Sequence, residues 1–138
     1  MDYRDVKQVV VEFYEGWTRG VIDFEALVAT DIVNHQPDTE PARGRALFQA
    51  AVAGVMAAVP DSRWQISDLM AEGDRVAIRV TWSGTYQGGR FRGFDIPGPK
   101  PFSVEHIHIY RVRKGKLAEH WVVRDDLAML AHLGALDR

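Results

Sequence analysis

The apolar positions change period partway along the chain. Val6, Val9, Val10, Phe13, Tyr14 and Trp17 recur at helical spacing and Gly20 ends the run, which predicts an amphipathic helix over residues 2–19. A short helix is expected at Asp23–Ala29, capped by Asp23. The polar stretch DIVNHQPDTEP, residues 31–41, reads as a loop. Residues 44–59 are apolar on nearly every side, so a third helix covered on most faces is expected there, stopped by Pro60. Beyond Pro60 the period becomes two. Trp64-Gln65-Ile66-Ser67 alternates, and Glu72-Gly73-Asp74 is a turn. Over Arg75–Tyr86, Val76, Ile78, Val80 and Trp82 share one face, while Ala77, Arg79, Thr81 and Ser83 share the other. The Gly/Pro-rich residues 87–101 read as a loop and residues 103–123 as a hairpin. DDLAMLAHLGAL forms a closing helix, started by aspartate and ended at Gly134.

Helices followed by a strand meander predict an α+β fold, with one antiparallel sheet curved over an N-terminal helical layer. Short turns favour antiparallel pairing. Such a sheet would enclose a pocket. No internal repeat or linker interrupts the 138 residues, so a single domain over 1–138 is expected.

The hairpin carries three of the five histidines, in VEHIHIYRVRKGKLAEHW. His106 and His108 share a face because side chains alternate. The face of His120 depends on the turn. A two-residue turn at Lys114-Gly115 pairs Arg113 with Lys116 and sends His120 to the other face. A three-residue loop, Arg113-Lys114-Gly115, pairs Val112 with Lys116. It sets His108 opposite His120 and His106 opposite Val122. Lysine suits poorly a turn that needs two positive φ angles, so the three-residue loop is preferred. Two imidazoles so close suppress each other's protonation, leaving a neutral ring able to accept a proton.

Composition narrows the chemistry. A net charge of −2 gives no electrostatic case for nucleic acid or an anionic membrane. The absence of cysteine excludes disulfides and thiol chemistry. The acidic, amphipathic N-terminus does not read as a signal sequence, and no apolar run reaches membrane-spanning length. The default expectation is a cytoplasmic protein.

Several segments point to a family. FYEGW in the first helix, Ile-Val-Asn-His at the first loop, the IPGPKPF loop, EHIHIYRVRKGKLAEHW and DDLAMLAHLGAL resemble the SnoaL-like polyketide cyclases of the nuclear transport factor 2-like superfamily. The resemblance implies a cone-shaped fold with an apolar pocket, in homodimers or homotetramers. It also implies cofactor-free chemistry on a hydrophobic small molecule, with no metal. Some members close polyketide rings by aldol reaction, and others assist hydroxylation. The histidine beside the family's acid/base falls on His108, an asparagine on Asn34 and a helical tyrosine on Tyr14. The family's catalytic aspartate falls on Val122, which cannot carry a proton.

His108 and His120 are therefore the candidate proton-transfer groups. Asp125 is a candidate orienting carboxylate, although an aspartate there also suits a helix cap. Asn34, His35, His106, Tyr14, Val122 and Trp82 are candidate substrate contacts. Arg90 and Arg92 are candidate lid residues over an anion. Three functions compete: an acid/base enzyme on a polycyclic or polyketide-like carbonyl compound, a non-catalytic binding or assembly module, and, ranked last, a metal enzyme using His-x-His plus a facing histidine.

Overall fold

A computed structural model describes residues 5–37 and 39–136. Helix α1 (Val6–Arg19) is capped by Asp5, whose carboxylate accepts from the Lys7 amide at 2.8 Å, and is closed by left-handed Gly20. Residues 2–4 of the expected helix lie outside the described residues. Its stripe of Val9, Val10, Phe13, Tyr14 and Trp17 is buried. Helix α2 (Phe24–Leu27) is one turn capped by Asp23.

The expected helix over Asp23–Ala29 stops at Leu27, and Val28–His35, which takes in its last two residues and the first half of the expected loop, forms strand β1. With Val28, Ile32 and Val33 its only aliphatics, the segment has too weak a period to be read locally. Its flanking strands decide it: the short β2 (Ala42–Arg43) on one side and, far away in sequence, β8 (Lys116–Arg124) on the other. Helix α3 (Arg45–Ala58) leads into β3 (Arg63–Glu72) and β4 (Arg75–Tyr86). The expected loop 87–101 holds a ribbon of β5 (Gly89–Phe91) and β6 (Phe94–Ile96), and β7 (Lys100–Arg113) starts before its end. Helix α4 (Asp126–His132) follows β8.

The main sheet has the order β2-β1-β8-β7-β4-β3. It is mixed rather than wholly antiparallel, because β1 runs parallel to β8. Tight turns dictate direction only between strands they join. Most of the chain separates β1 from β8, so no turn constrains that pair. The alternation over β4 is as expected: Val76, Ile78, Val80 and Trp82 are buried against the helical layer. Helix α3 is less covered than its apolarity suggested. Only Phe48 and Val52 are buried in it, and Leu47 is 57% exposed. Its many alanines serve helix propensity rather than packing.

The β7–β8 turn is the two-residue form, with Lys114 and Gly115 both left-handed at φ 53° and 75°. The preferred three-residue loop is thus corrected, and the lysine accepts a backbone cost of about 1–2 kcal/mol. The histidine faces are nevertheless restored. Val112 pairs with Leu117 but Arg111 pairs with Glu119, so Ala118 is an extra residue in β8. This β-bulge shifts the strand by one and turns His120 inward. His120 then faces Tyr110, His108 faces Val122, and His106 faces Arg124. The consecutive burial of Leu117 and Ala118 is the bulge's imprint.

Candidate active site

Between the concave sheet face and α1 and α3 lies a cavity of about 400 Å³. Alternation places its polar groups: β1 contributes Asn34, β7 contributes His106, His108 and Tyr110, and β8 contributes His120, Val122 and Arg124. Trp17, Trp64, Trp82, Phe13 and Phe48 supply aromatic walls. Trp64 and Trp82 stack at 5.3 Å with an 8° interplanar angle, and the Trp82 indole donates to Ser62 Oγ at 3.0 Å. Seven of the nine expected residues line this space: Tyr14, Asn34, Trp82, His106, His108, His120 and Val122.

Two do not. With Asn34 pointing in, its neighbour His35 must point out. His35 stacks on Trp121 and bonds Glu119 at 2.7 Å on the outer face. Asp125 caps α4, its carboxylate accepting from the Ala128 amide at 3.0 Å. The carboxylate that does line the cavity is Asp126, 2.9 Å from Arg92 Nε. Arg90 instead pairs with Asp95, exposed to solvent. Gln36, Tyr110 and Arg124 also line the cavity. Each lies two residues beyond an assigned position, so continuing the two-residue period would have found them.

The polar groups form a chain. His106 Nδ1 lies 3.2 Å from His108 Nε2, and His108 Nδ1 lies 2.8 Å from His120 Nε2. His120 Nδ1 lies 2.6 Å from Asn34 Oδ1. Gln36 Nε2 donates to the same Asn34 oxygen at 3.2 Å, and Arg124 Nη1 donates to Gln36 Oε1 at 2.6 Å. The Tyr14 and Tyr110 hydroxyls bond each other beside it, and Tyr110 stacks on His120 at 4.6 Å.

Burial sets the charge state. Desolvation, then the Arg124 charge, lowers the His106 pKa to about 4. Desolvation, then Arg124 and His35, lowers His120 to about 3. His108 lies well below its ordinary value through desolvation and the neighbouring His120 and His106. All three rings are neutral at pH 7. Desolvation also raises both tyrosines, so they stay protonated.

The rings do not converge on one point. His108 spends both nitrogens on its neighbours, and among the described residues no group of three side chains is placed to hold a metal ion. A second concavity, about 510 Å³, opens elsewhere, between Arg43, Gly44, Arg111 and Arg113. Its arginines Arg111 and Arg113 already pair with Glu119 and Asp31, and it holds no base of comparable burial. The candidate site is the inner cavity.

No curated protein sequence matches the chain. Solved structures do. TsrD from Streptomyces laurentii is 29% identical with a TM-score of 0.80, over 99% of each chain. AclR from Streptomyces galilaeus, described as a candidate hydroxylase, is 30% identical with a TM-score of 0.78, over 95% of this chain and 96% of its own. IdmH from Streptomyces antibioticus, described as a candidate polyketide cyclase, is 29% identical with a TM-score of 0.78, over 95% and 99%. The sequence profile of the SnoaL-like polyketide cyclases matches residues 5–133. The protein belongs to the SnoaL-like polyketide cyclase family.

Proposed function

We propose that the protein is a cofactor-independent acid/base enzyme acting on a polycyclic or polyketide-like carbonyl compound. The observation that carries this reading is the chain of three neutral, hydrogen-bonded histidines along the wall of an aromatic-lined cavity. Aromatic walls fit a flat, hydrophobic substrate. A neutral imidazole can take a proton from carbon next to a carbonyl and later return it. Fixed cations at Arg92 and Arg124 favour the enolate that forms when the C–H electron pair passes to oxygen. No group beyond these is needed for that step. Val122 removes the family's carboxylate, so the histidines bear the proton transfer in this chain.

A second reading is tailoring hydroxylation of an aromatic polyketide, supported by the likeness to AclR. It begins with the same deprotonation; the carbanion's electron pair then adds to dioxygen to give a hydroperoxide, which a two-electron reductant from outside this chain, such as a reduced nicotinamide, would cleave to the hydroxyl and water. The test is to incubate purified protein with polyketide-type anthrone and keto-ester compounds in D2O. NMR follows exchange of the acidic C–H, and an electrode follows oxygen. Exchange without oxygen uptake supports the first reading, and uptake supports the second. Tight binding with neither overturns both in favour of a binding module.

A further inference from the structure

The hydrogen-bond chain has a direction. A guanidinium can only donate, so Arg124 Nη1 fixes Gln36 with its oxygen towards arginine and its amide nitrogen towards Asn34. Asn34 must then present Oδ1, and the same oxygen meets His120 Nδ1. An oxygen there demands a proton on His120 Nδ1. A neutral ring holds one N–H, so His120 Nε2 is an acceptor and His108 Nδ1 must donate to it. By the same step His106 Nδ1 donates to His108 Nε2. One charged side chain thus sets the tautomer of all three rings.

His108 and His120 therefore have no nitrogen left for a substrate. His106 Nε2 has no partner among the described residues. Nor is it one of the sealed, unpartnered nitrogens, which belong to Trp17, Arg45, Trp64 and Arg124. The His106 ring stands 5.7 Å from Trp64 and 5.6 Å from Trp82, centre to centre, on the cavity wall.

We propose that His106, through its bare Nε2, is the catalytic base, and that Arg124, Gln36, Asn34, His120 and His108 are positioning residues that lock it in the Nδ1–H tautomer. This deepens the proposed proton-transfer function and rests on it. The substrate's C–H bond breaks, its electron pair passes into the enolate, and the proton forms a new N–H bond at His106 Nε2. The resulting imidazolium keeps its Nδ1–H bond to His108, which spreads the charge along the chain. Arg124 and Arg92 line the same cavity and, although they disfavour the imidazolium, their charges offset that of the enolate formed with it. Because His106 is a weak base, the fitting substrate class is a strongly acidic C–H, one flanked by two carbonyls on an aromatic system, rather than a simple ketone.

Two measurements test this on the full chain. Long-range 1H–15N NMR of histidine-labelled protein at pH 7 should show three Nδ1–H tautomers. An Nε2–H signal on His106 would overturn the lock. Asn34→Leu should bring that signal up and slow C–H exchange of an aromatic 1,3-dicarbonyl probe, while Asn34→Asp, an obligate acceptor at the same place, should keep the Nδ1–H tautomer. His106→Gln should cut exchange by about 100-fold or more, with the His108 and His120 resonances reporting that the fold persists. Exchange that survives His106→Gln but is lost in His120→Gln would overturn the base assignment and leave the proposed function standing. No exchange by the unaltered protein, with the tautomers as stated, would instead overturn the proposed function and the base role with it.

Discussion

The two faces of the β7–β8 hairpin carry similar residues to opposite ends. Inside, His108 bonds His120 in a closed, aromatic space. Outside, His35 bonds Glu119, which also meets Arg111, while Arg111 reaches Asp74. Arg79 bridges Asp68 and Glu105 on the same outer surface. The difference is water. Outer pairs are screened and replaceable by solvent, so each contributes little. A His108 or His120 nitrogen that loses its partner is packed among other side chains and costs about 1–3 kcal/mol. Tight polar geometry occurs on both faces, but only the inner one is coupled to fold and chemistry.

The strongest way to break the comparison is to cut the inner chain at its middle. His108→Leu removes two bonds at once and strands His106 Nδ1 and the His120 side of the chain. The expected loss is about 2–4 kcal/mol of stability by urea unfolding, with C–H exchange falling by about 100-fold or more. A loss under about 1 kcal/mol would mean that the inner chain behaves like the outer pairs.

Acid gives an effect at least as large, because it acts on more than one ring of the chain. The ordinary imidazole pKa is 6.5, while folded His106 sits at about 4 and His120 at about 3. Between those values and 6.5 the unfolded chain binds protons that the folded chain refuses. The contribution is therefore fully present above pH 6.5 and is lost as pH falls towards 4 and then 3. A 2.5-unit displacement corresponds to on the order of 3 kcal/mol for His106 alone. Thermal unfolding followed from pH 7 to pH 4 should show this fall, and His106→Gln should flatten part of it. The exchange rate of folded protein should stay level below pH 6 and drop only near pH 4. A midpoint near 6.5 would contradict the buried, neutral base.

Val122→Asp should act between these extremes. Val122 faces His108 across the strands and lines the cavity. An aspartate there supplies the carboxylate that the family resemblance implies at this position. Its charge would favour protonated histidine and raise the acid limb of the rate profile by about 1 unit or more. Burial of a new polar group costs about 1–3 kcal/mol. An unmoved acid limb would show that position 122 does not communicate with the histidines.

The sequence was informative where period and burial coincide. Val76 to Trp82 alternate without interruption, so β4 was legible. Asp23 and Asp125 were legible as caps because their spacing to a helical run is local. Strand β1 was not, because its identity depends on β8, more than 80 residues away. That also hid its role: Asn34 was placed in a loop, and the alternation that turns His35 outward was invisible. The hairpin gave the right histidine face through the wrong turn. Two one-residue effects cancelled, the tight turn at Lys114-Gly115 and the bulge at Ala118. Turn propensity was readable, but the bulge was decided by packing of Leu117 and Ala118 together into the interior. The direction of the histidine chain was beyond sequence reading altogether. It depends on Gln36 meeting Arg124, residues on different strand ends that only the folded sheet brings together.

The smallest expected effect lies on the outer face and completes the comparison. Glu119→Gln removes the charge between His35 and Arg111 yet leaves an amide able to bond both sides. Arg111 keeps Asp74 at 2.8 Å, and solvent reaches the remainder. Stability should change by less than about 1 kcal/mol, and less still in high salt, where exposed pairs are screened further. The exchange rate and the three buried histidine tautomers should be unchanged, because Glu119 points away from the cavity. A double-mutant cycle with Arg111→Ala measures the pair directly. A coupling above about 2 kcal/mol, or a change of the His120 tautomer, would mean that the sheet transmits the outer charges to the inner chain through β8. The two faces would then be one electrostatic unit rather than two.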